Sequence, residues 1–422
     1  MYNLSNHYEN IYQYLRTIIA DVRVAYLHPF GSTQPENVEM IRDDRYDSDT
    51  IDAHVSNLKF DDFLPEDESK LEEYLKLMRH GPMFIFYDQE PVDLHYNYPL
   101  FKWITENSRA PWVLVNTERS SYDKDLICRE LPFAEVNYFF HIFAAADWFR
   151  GHEYLPGLVA PADRKLKKTY ISFNRITSNK RLYRSLLVNE LYKNDLLDRG
   201  YVSYSKVCPD TNDSFDVSIR AGVPEYPLSH ALKEEVIANI EQLPELRIDF
   251  AEDDFIPNQS MLLSPIRQLM ESFVFLVTET CYFQNKTHLT EKIFKPIVLK
   301  MPFILVGCAN NLEYLRSYGF RTFGDFWDES YDTIFDPIER LRAIVKILKD
   351  ISSMSLKEQQ DMLVKMQPIL DHNYNLFNNP EFVRKEWDYL KEQLRLMCRN
   401  YEFKAPYTPN PRLGQAIPID PN

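Results

Sequence analysis

The chain has 422 residues, a formal net charge of −15, 45% hydrophobic and 14% aromatic residues. That length exceeds one typical core and suits two domains of about 150–200 residues, while the acidic balance disfavours general nucleic-acid binding, which needs a basic surface. Five scattered cysteines without a CxxC pair argue against a disulfide framework or zinc site and fit a reducing cytosol. With a polar N-terminus and no apolar run near the roughly 18 residues of a membrane span, the chain reads as soluble, cytoplasmic and without a membrane span. Only 10 glycines occur, with no GxGxxG or Walker A pattern, so any phosphate must be held by basic side chains and helix ends.

In chain order, Tyr8, Ile11, Tyr12, Leu15, Ile18 and Ile19 form one helical face over 7–21. The run VRVAYL at 22–27 reads as a strand opening into a His28 to Ser32 loop. Residues 42–73 are dense in Asp and Glu but lack the DxDxDG spacing of a calcium loop, and read as solvated surface. MFIFY at 83–87 is a buried strand by pattern, with Asp88-Gln89-Glu90-Pro91 as its exit. Asp88 and Glu90 there are placed for general-base work, or alternatively Asp88 caps a helix. A strand at 112–115 leads to Glu118, a second candidate base. The aromatic stretch 136–154 reads as core at a domain edge; His141 and Asp147 lack a partner at ligand spacing, so no metal is assigned.

Residues 157–168 read as a linker. A strand at 168–173 follows, then an exit loop from Asn174 and Arg175 to Lys180 and Arg181. In the next helix Leu182, Tyr183, Leu186 and Leu187 share one face, with Arg181 and Arg184 pointing away. Lys165, Lys167, Lys168, Arg175, Lys180, Arg181 and Arg184 make a local basic strip. Beyond a strand at 202–204, a loop-rich insertion reaches about residue 230, before a helix at 231–242. Residues 250–260 are assigned to a ligand pocket, though nothing in them names the ligand.

The most informative stretch is FVFLVTETCYFQNKTHLTEKIFKPIVLKMPFILVG at 273–307. Apolar runs at 273–277 and 303–306 read as buried strands, and Ile293, Phe294, Ile297 and Val298 as the apolar face of a helix between them. Thr290 is the expected N-cap, so Glu291 and Lys292 fall in the first turn beside free backbone N–H groups. A carboxylate there suits vicinal hydroxyls, and an ammonium suits a phosphate. Pro296 implies a helix that starts late or kinks. Further on come a helix at 311–318, a segment 319–323 leading to a short strand, an acidic aromatic loop, helices over 335–400 and a Pro-rich tail.

This stretch resembles the donor-binding segment of alpha-1,3-fucosyltransferases and related glycosyltransferases with two Rossmann-like domains. Glu279-Thr280 stands where the family has Glu-Asn, His288 where it often has Tyr, then Thr290-Glu291-Lys292, a helix and a strand closing at Gly307. The exit Phe173-Asn174 with Arg181 or Lys180 is similar to the family's Ser-Asn and diphosphate-gripping Arg. FYDQEP and the HxFAAxDWxR run resemble phage-encoded glycosyltransferases. The resemblance implies an α/β fold of GT-B type, two Rossmann-like domains with parallel sheets facing across a cleft: an acceptor domain at 1–160, a nucleotide-sugar domain at 161–400 whose last helix packs back on the first, and a tail at 401–422. It implies sugar transfer from a nucleotide-diphosphate sugar to a glycan or other hydroxyl acceptor, inverting and metal-independent, with no cofactor beyond the nucleotide sugar. Asp88, Glu90 or Glu118 would be the base. Asn174, Arg175, Lys180, Arg181, Glu279, Thr280, His288, Thr290, Glu291 and Lys292 would bind the donor. The alternatives are a transferase acting on hydroxymethylated bases of phage DNA, or an inactive two-domain binding protein.

Overall fold

The computed structural model describes residues 14–15, 17–18, 23–26, 83–87, 91–107, 112–143, 149, 157–209, 211–224, 226–248 and 265–399. The readings made for most of 7–21, for 28–32, 42–73, 250–260 and the tail, and for Asp88, Glu90 and Asp147, lie outside the described residues. The chain forms two compact units, Met1–Asp147 with Pro380–Asn422, and Trp148–Asn379.

The first unit holds a parallel sheet in the order β1 (Arg23–Tyr26), β2 (Met83–Tyr87), β3 (Trp112–Asn116) and β4 (Ala134–Asn137). Every residue of β3 is buried, as a central parallel strand requires. Helices α1 (Leu94–Asn107) and α2 (Tyr122–Glu130) pack together. Beneath them Trp112 stacks on Phe133 at 4.2 Å and meets Phe101 at 5.3 Å, while its indole N–H donates to Thr105 Oγ1 at 3.1 Å. Strand β4 is absent from the sequence reading, which saw only aromatic core there; its AEVN segment is too short and too mixed to show a period.

The second unit holds β5 (Lys168–Asn174), β6 (Gly200–Tyr204), β7 (Ser272–Thr278) and β8 (Phe303–Val306), all parallel, in the order β8-β7-β5-β6. Tyr170 pairs with Gly200, and a Cβ at Gly200 would stand 2.4 Å from the Tyr170 ring, so only glycine lets these strands close. Its helices are α3 (Tyr183–Lys193), α4 (Phe215–Ala221), α5 (His230–Gln242), α6 (Ile266–Met270), α7 (Glu291–Val298), α8 (Asn311–Ser317), α9 (Pro337–Ser352) and α10 (Leu356–Asn378). Helix α3 packs on α5 and α9, and α10 on α7, β5 and β7. Asp336 caps α9, and Ser355 with Glu358 forms a capping box on α10.

Three readings change. The insertion before residue 230 contains α4. No strand follows 319–323, which are irregular beyond the turn at Gly319, because their main chain bonds to side chains: Arg321 exchanges bonds with Asn373, and Phe323 N–H donates to Glu329. The second unit begins at Trp148, ahead of the supposed linker; Phe149 packs on Phe377, and within 157–168 Arg164 donates to Leu299 O at 2.6 Å, tying that residue to its own unit. The last helix, α11 (Pro380–Arg399), groups with the first unit, lying on β4 and on the turn His141–Phe143, where Phe382 meets His141 at 4.7 Å. Together these give an α/β protein with two parallel-sheet, Rossmann-like units.

Candidate functional site

Strand order decides where a ligand can sit. From β5 the chain crosses to β6 on one side, then returns to β7 on the other, so the connections diverge between β5 and β7. Such a switch point leaves a crevice at the carboxyl ends of the two strands. Asn174 ends β5, and Glu279 directly follows β7, so the two stretches singled out in the sequence leave from neighbouring strands.

On the β7 side Glu279, Thr280, Thr290, Glu291 and Lys292 form one cluster. Thr290 is the N-cap of α7, its Oγ1 accepting from Lys292 N–H at 3.4 Å. The same hydroxyl donates to Glu279 Oε2 at 2.6 Å and accepts from Lys292 Nζ at 3.2 Å. Lys292 Nζ also reaches Thr280 Oγ1 at 3.3 Å and Glu291 Oε1 at 2.9 Å. Helix α7 begins at Glu291 and runs through Pro296, so it does not start late; it ends two residues later.

Glu279 is 1% exposed. Burial holds its carboxyl above the usual range, opposed by Lys292 and the Thr290 hydrogen bonds and reinforced by Glu291. A raised folded pKa means that stability falls as pH climbs through the unfolded value of about 4.3 and on through the folded one. Glu279→Gln should therefore gain in melting temperature relative to wild type as pH rises from 4 to 8. A difference that does not change with pH would contradict this account.

On the β5 side Asn174 is fully buried, its Nδ2 donating to Ser172 Oγ at 3.0 Å. Lys180 and Arg181 stand half-buried in the single turn Asn179–Arg181, whereas Arg175 is exposed. His288 is buried and fixed through its main chain, which exchanges bonds with the Asn311 side chain.

Three further cations were not among the candidate site residues. Arg184 was expected to point away from the apolar face, yet it is 5% exposed, donating to Ile176 O at 3.0 Å and Thr278 O at 2.9 Å. Lys295 lays its ammonium 4.5 Å from the Phe173 ring centre, and burial there pushes it down to about 7 against the Glu291 charge. Arg340 is 2% exposed and donates to the carbonyls of Gly307, Ile334, Phe335 and Tyr282. Tyr282 stacks on Tyr183 at 4.4 Å, and the Tyr183 hydroxyl donates to Glu279 O. No local pattern marks these cations; only the helical spacing of Lys295 from Glu291 was available.

In the first unit Glu118 is buried and its carboxylate already accepts from Val92 N–H at 2.7 Å. Through this oxygen it fastens the segment after β2 to the exit of β3. Among the described residues no cluster of His, Cys, Asp or Glu could hold a metal ion, no helix is long and apolar enough to cross a membrane, and the five cysteines are free thiols.

The sequence matches no family model and no curated protein. Similar solved structures include a TarM variant from S. aureus in complex with Fondaparinux, alpha-GlcNAc-glycerol and UDP, 6% identical with a TM-score of 0.37 over 74% of this chain. The chain spans 55% of the length of that protein. T4 phage β-glucosyltransferase is 10% identical with a TM-score of 0.40, covering 88% of this chain and 99% of that one. The N-terminal domain of Candida albicans trehalose-6-phosphate phosphatase is 10% identical with a TM-score of 0.36, covering 79% and 78%. Function is therefore read from the site itself.

Proposed function

We propose that the protein is a glycosyltransferase of GT-B type that takes a nucleotide-diphosphate sugar in its second unit and passes the sugar to an acceptor hydroxyl. The observation that supports this reading is that Asn174 and the Lys180-Arg181 turn follow β5, and the Thr290-Glu291-Lys292 helix start follows β7, two neighbouring strands that flank a topological switch point. Lys292, with Arg181 or Lys180, would neutralise the departing diphosphate in place of a metal ion, an electrostatic contribution made at the leaving group. Glu291, at the first position of α7, would accept from ribose hydroxyls. Asp88 or Glu90, after β2, would take the acceptor proton, giving inversion.

The test is the melting temperature of the protein with GDP, UDP, CDP, TDP and ADP, without metal and then with magnesium. A ligand that binds only the native state raises it. One diphosphate is expected to give a clear shift without metal, and Lys292→Ala and Arg181→Ala should each remove most of that shift. No shift with any diphosphate, or full retention by both variants, would sink the assignment.

A further inference from the structure

We infer that Arg184 is a positioning residue of the anion site, fixing the spacing of the two strand exits and lending the crevice its charge; this rests on the diphosphate reading above. The ladder between β5 and β7 is in register at Ile171 with Phe275 and at Ser172 with Leu276. Past it, the strands are joined by side chains. Thr278 Oγ1 donates to Phe173 O at 2.8 Å, and the Arg184 guanidinium spans from Ile176 O to Thr278 O. One planar fork therefore sets the width of the crevice where main-chain pairing gives out.

Its charge is the second part of the inference. Arg184 is buried, it bonds neutral carbonyls, and no ion pair with it forms among the described residues. A guanidinium buried without an anion is costly, and such a group needs an explanation. Two buried polar atoms at these exits also have no protein partner, Arg184 Nε and Asn174 Oδ1. Ser172 Oγ can bond either end of the Asn174 amide, so that amide can turn its NH2 group toward an anion. An anionic ligand in the crevice accounts for the charge and for the two open valences together.

The probes are inorganic pyrophosphate and UDP, titrated calorimetrically without metal at a temperature well below unfolding, across a series of salt concentrations. Arg184→Met is expected to weaken pyrophosphate binding at least tenfold and flatten its salt dependence. Arg184→Lys, which keeps the charge but not the fork, should retain the wild-type salt dependence with a smaller loss. If Arg184→Met does not fold, Arg184→Gln, which can still donate to a carbonyl, must show the same flattening. Variants that melt earlier yet bind with unchanged affinity and salt dependence overturn the inference, leaving the diphosphate reading intact if Lys292→Ala still loses binding. Absence of binding by the wild type overturns both.

Discussion

Replacing Arg340 by Met is expected to cost about 4 kcal/mol of stability, because the change leaves the buried carbonyls of Gly307 and Tyr282 without their donor at about 1–3 kcal/mol each and also removes the part-buried bonds to Ile334 O and Phe335 O. The side chain reaches Gly307 O at 3.1 Å, Phe335 O at 3.1 Å and both Ile334 O and Tyr282 O at 2.6 Å. It also lies 4.5 Å from the centre of the Tyr282 ring. It thus joins the exit of β8, the loop after β7 and the entry to α9. Lysine cannot substitute, since three donors on one nitrogen cannot serve carbonyls spread around a planar fork. The loss reaches the candidate site as well, because Tyr282 supports Tyr183, whose hydroxyl holds the main chain of Glu279. Urea unfolding should show a lower midpoint for Arg340→Met and Arg340→Lys alike, with weaker diphosphate binding. A Met variant within about 0.5 kcal/mol of wild type would contradict this account, being inside the range of ordinary surface changes.

The second large effect is expected at Lys124 in the first unit. Its ammonium lies 2.6 Å from Glu135 Oε1, the two side chains being 1% and 5% exposed, and it also donates to Arg119 O at 2.9 Å and to Glu118 O. Glu135 in turn accepts from Asn116 Nδ2 at 2.7 Å. Breaking a buried pair by removing one partner costs about 3–5 kcal/mol, whereas replacing both with apolar groups is often close to neutral. Lys124→Met should therefore lower the calorimetric transition of this unit by on the order of 10 °C, at about 2–4 °C per kcal/mol for a unit of this size. The double variant Lys124→Met with Glu135→Met should recover much of the loss. Equal instability of the single and double variants would show that the ion pair is not what the single change removes.

What the sequence revealed and what it hid divide along physical lines. The β7-α7-β8 segment was legible because two short apolar runs, a Thr cap and an apolar helical face are all local signals. Strand β2 was legible for the same reason, as were β5 and most of β3. The order β8-β7-β5-β6 was not, since pairing across about a hundred residues leaves no periodic mark, and the switch point depends on that order. Arg184 and Arg340 escaped because a helical period sorts residues by hydrophobicity. Each is buried through hydrogen bonds from its guanidinium to main-chain carbonyls, which a polarity pattern reads as exposure. Glu118 shows a related limit of the sequence. A carboxylate at a strand exit looks the same in sequence whether it faces a substrate or accepts from Val92 N–H.

The membership of α11 in the first unit bears on the order in which the molecule is completed. The second unit is one continuous segment, whereas the first is built from two segments that flank it. During synthesis, every residue of Trp148–Asn379 has been made before α11 exists. The strands of the first unit, made earliest, thus wait for the last described helix to cover β4 and the His141–Phe143 turn. The unit that begins the chain is the one whose core is finished last, and the half that carries the candidate anion site does not depend on that delay for its own segment to be whole.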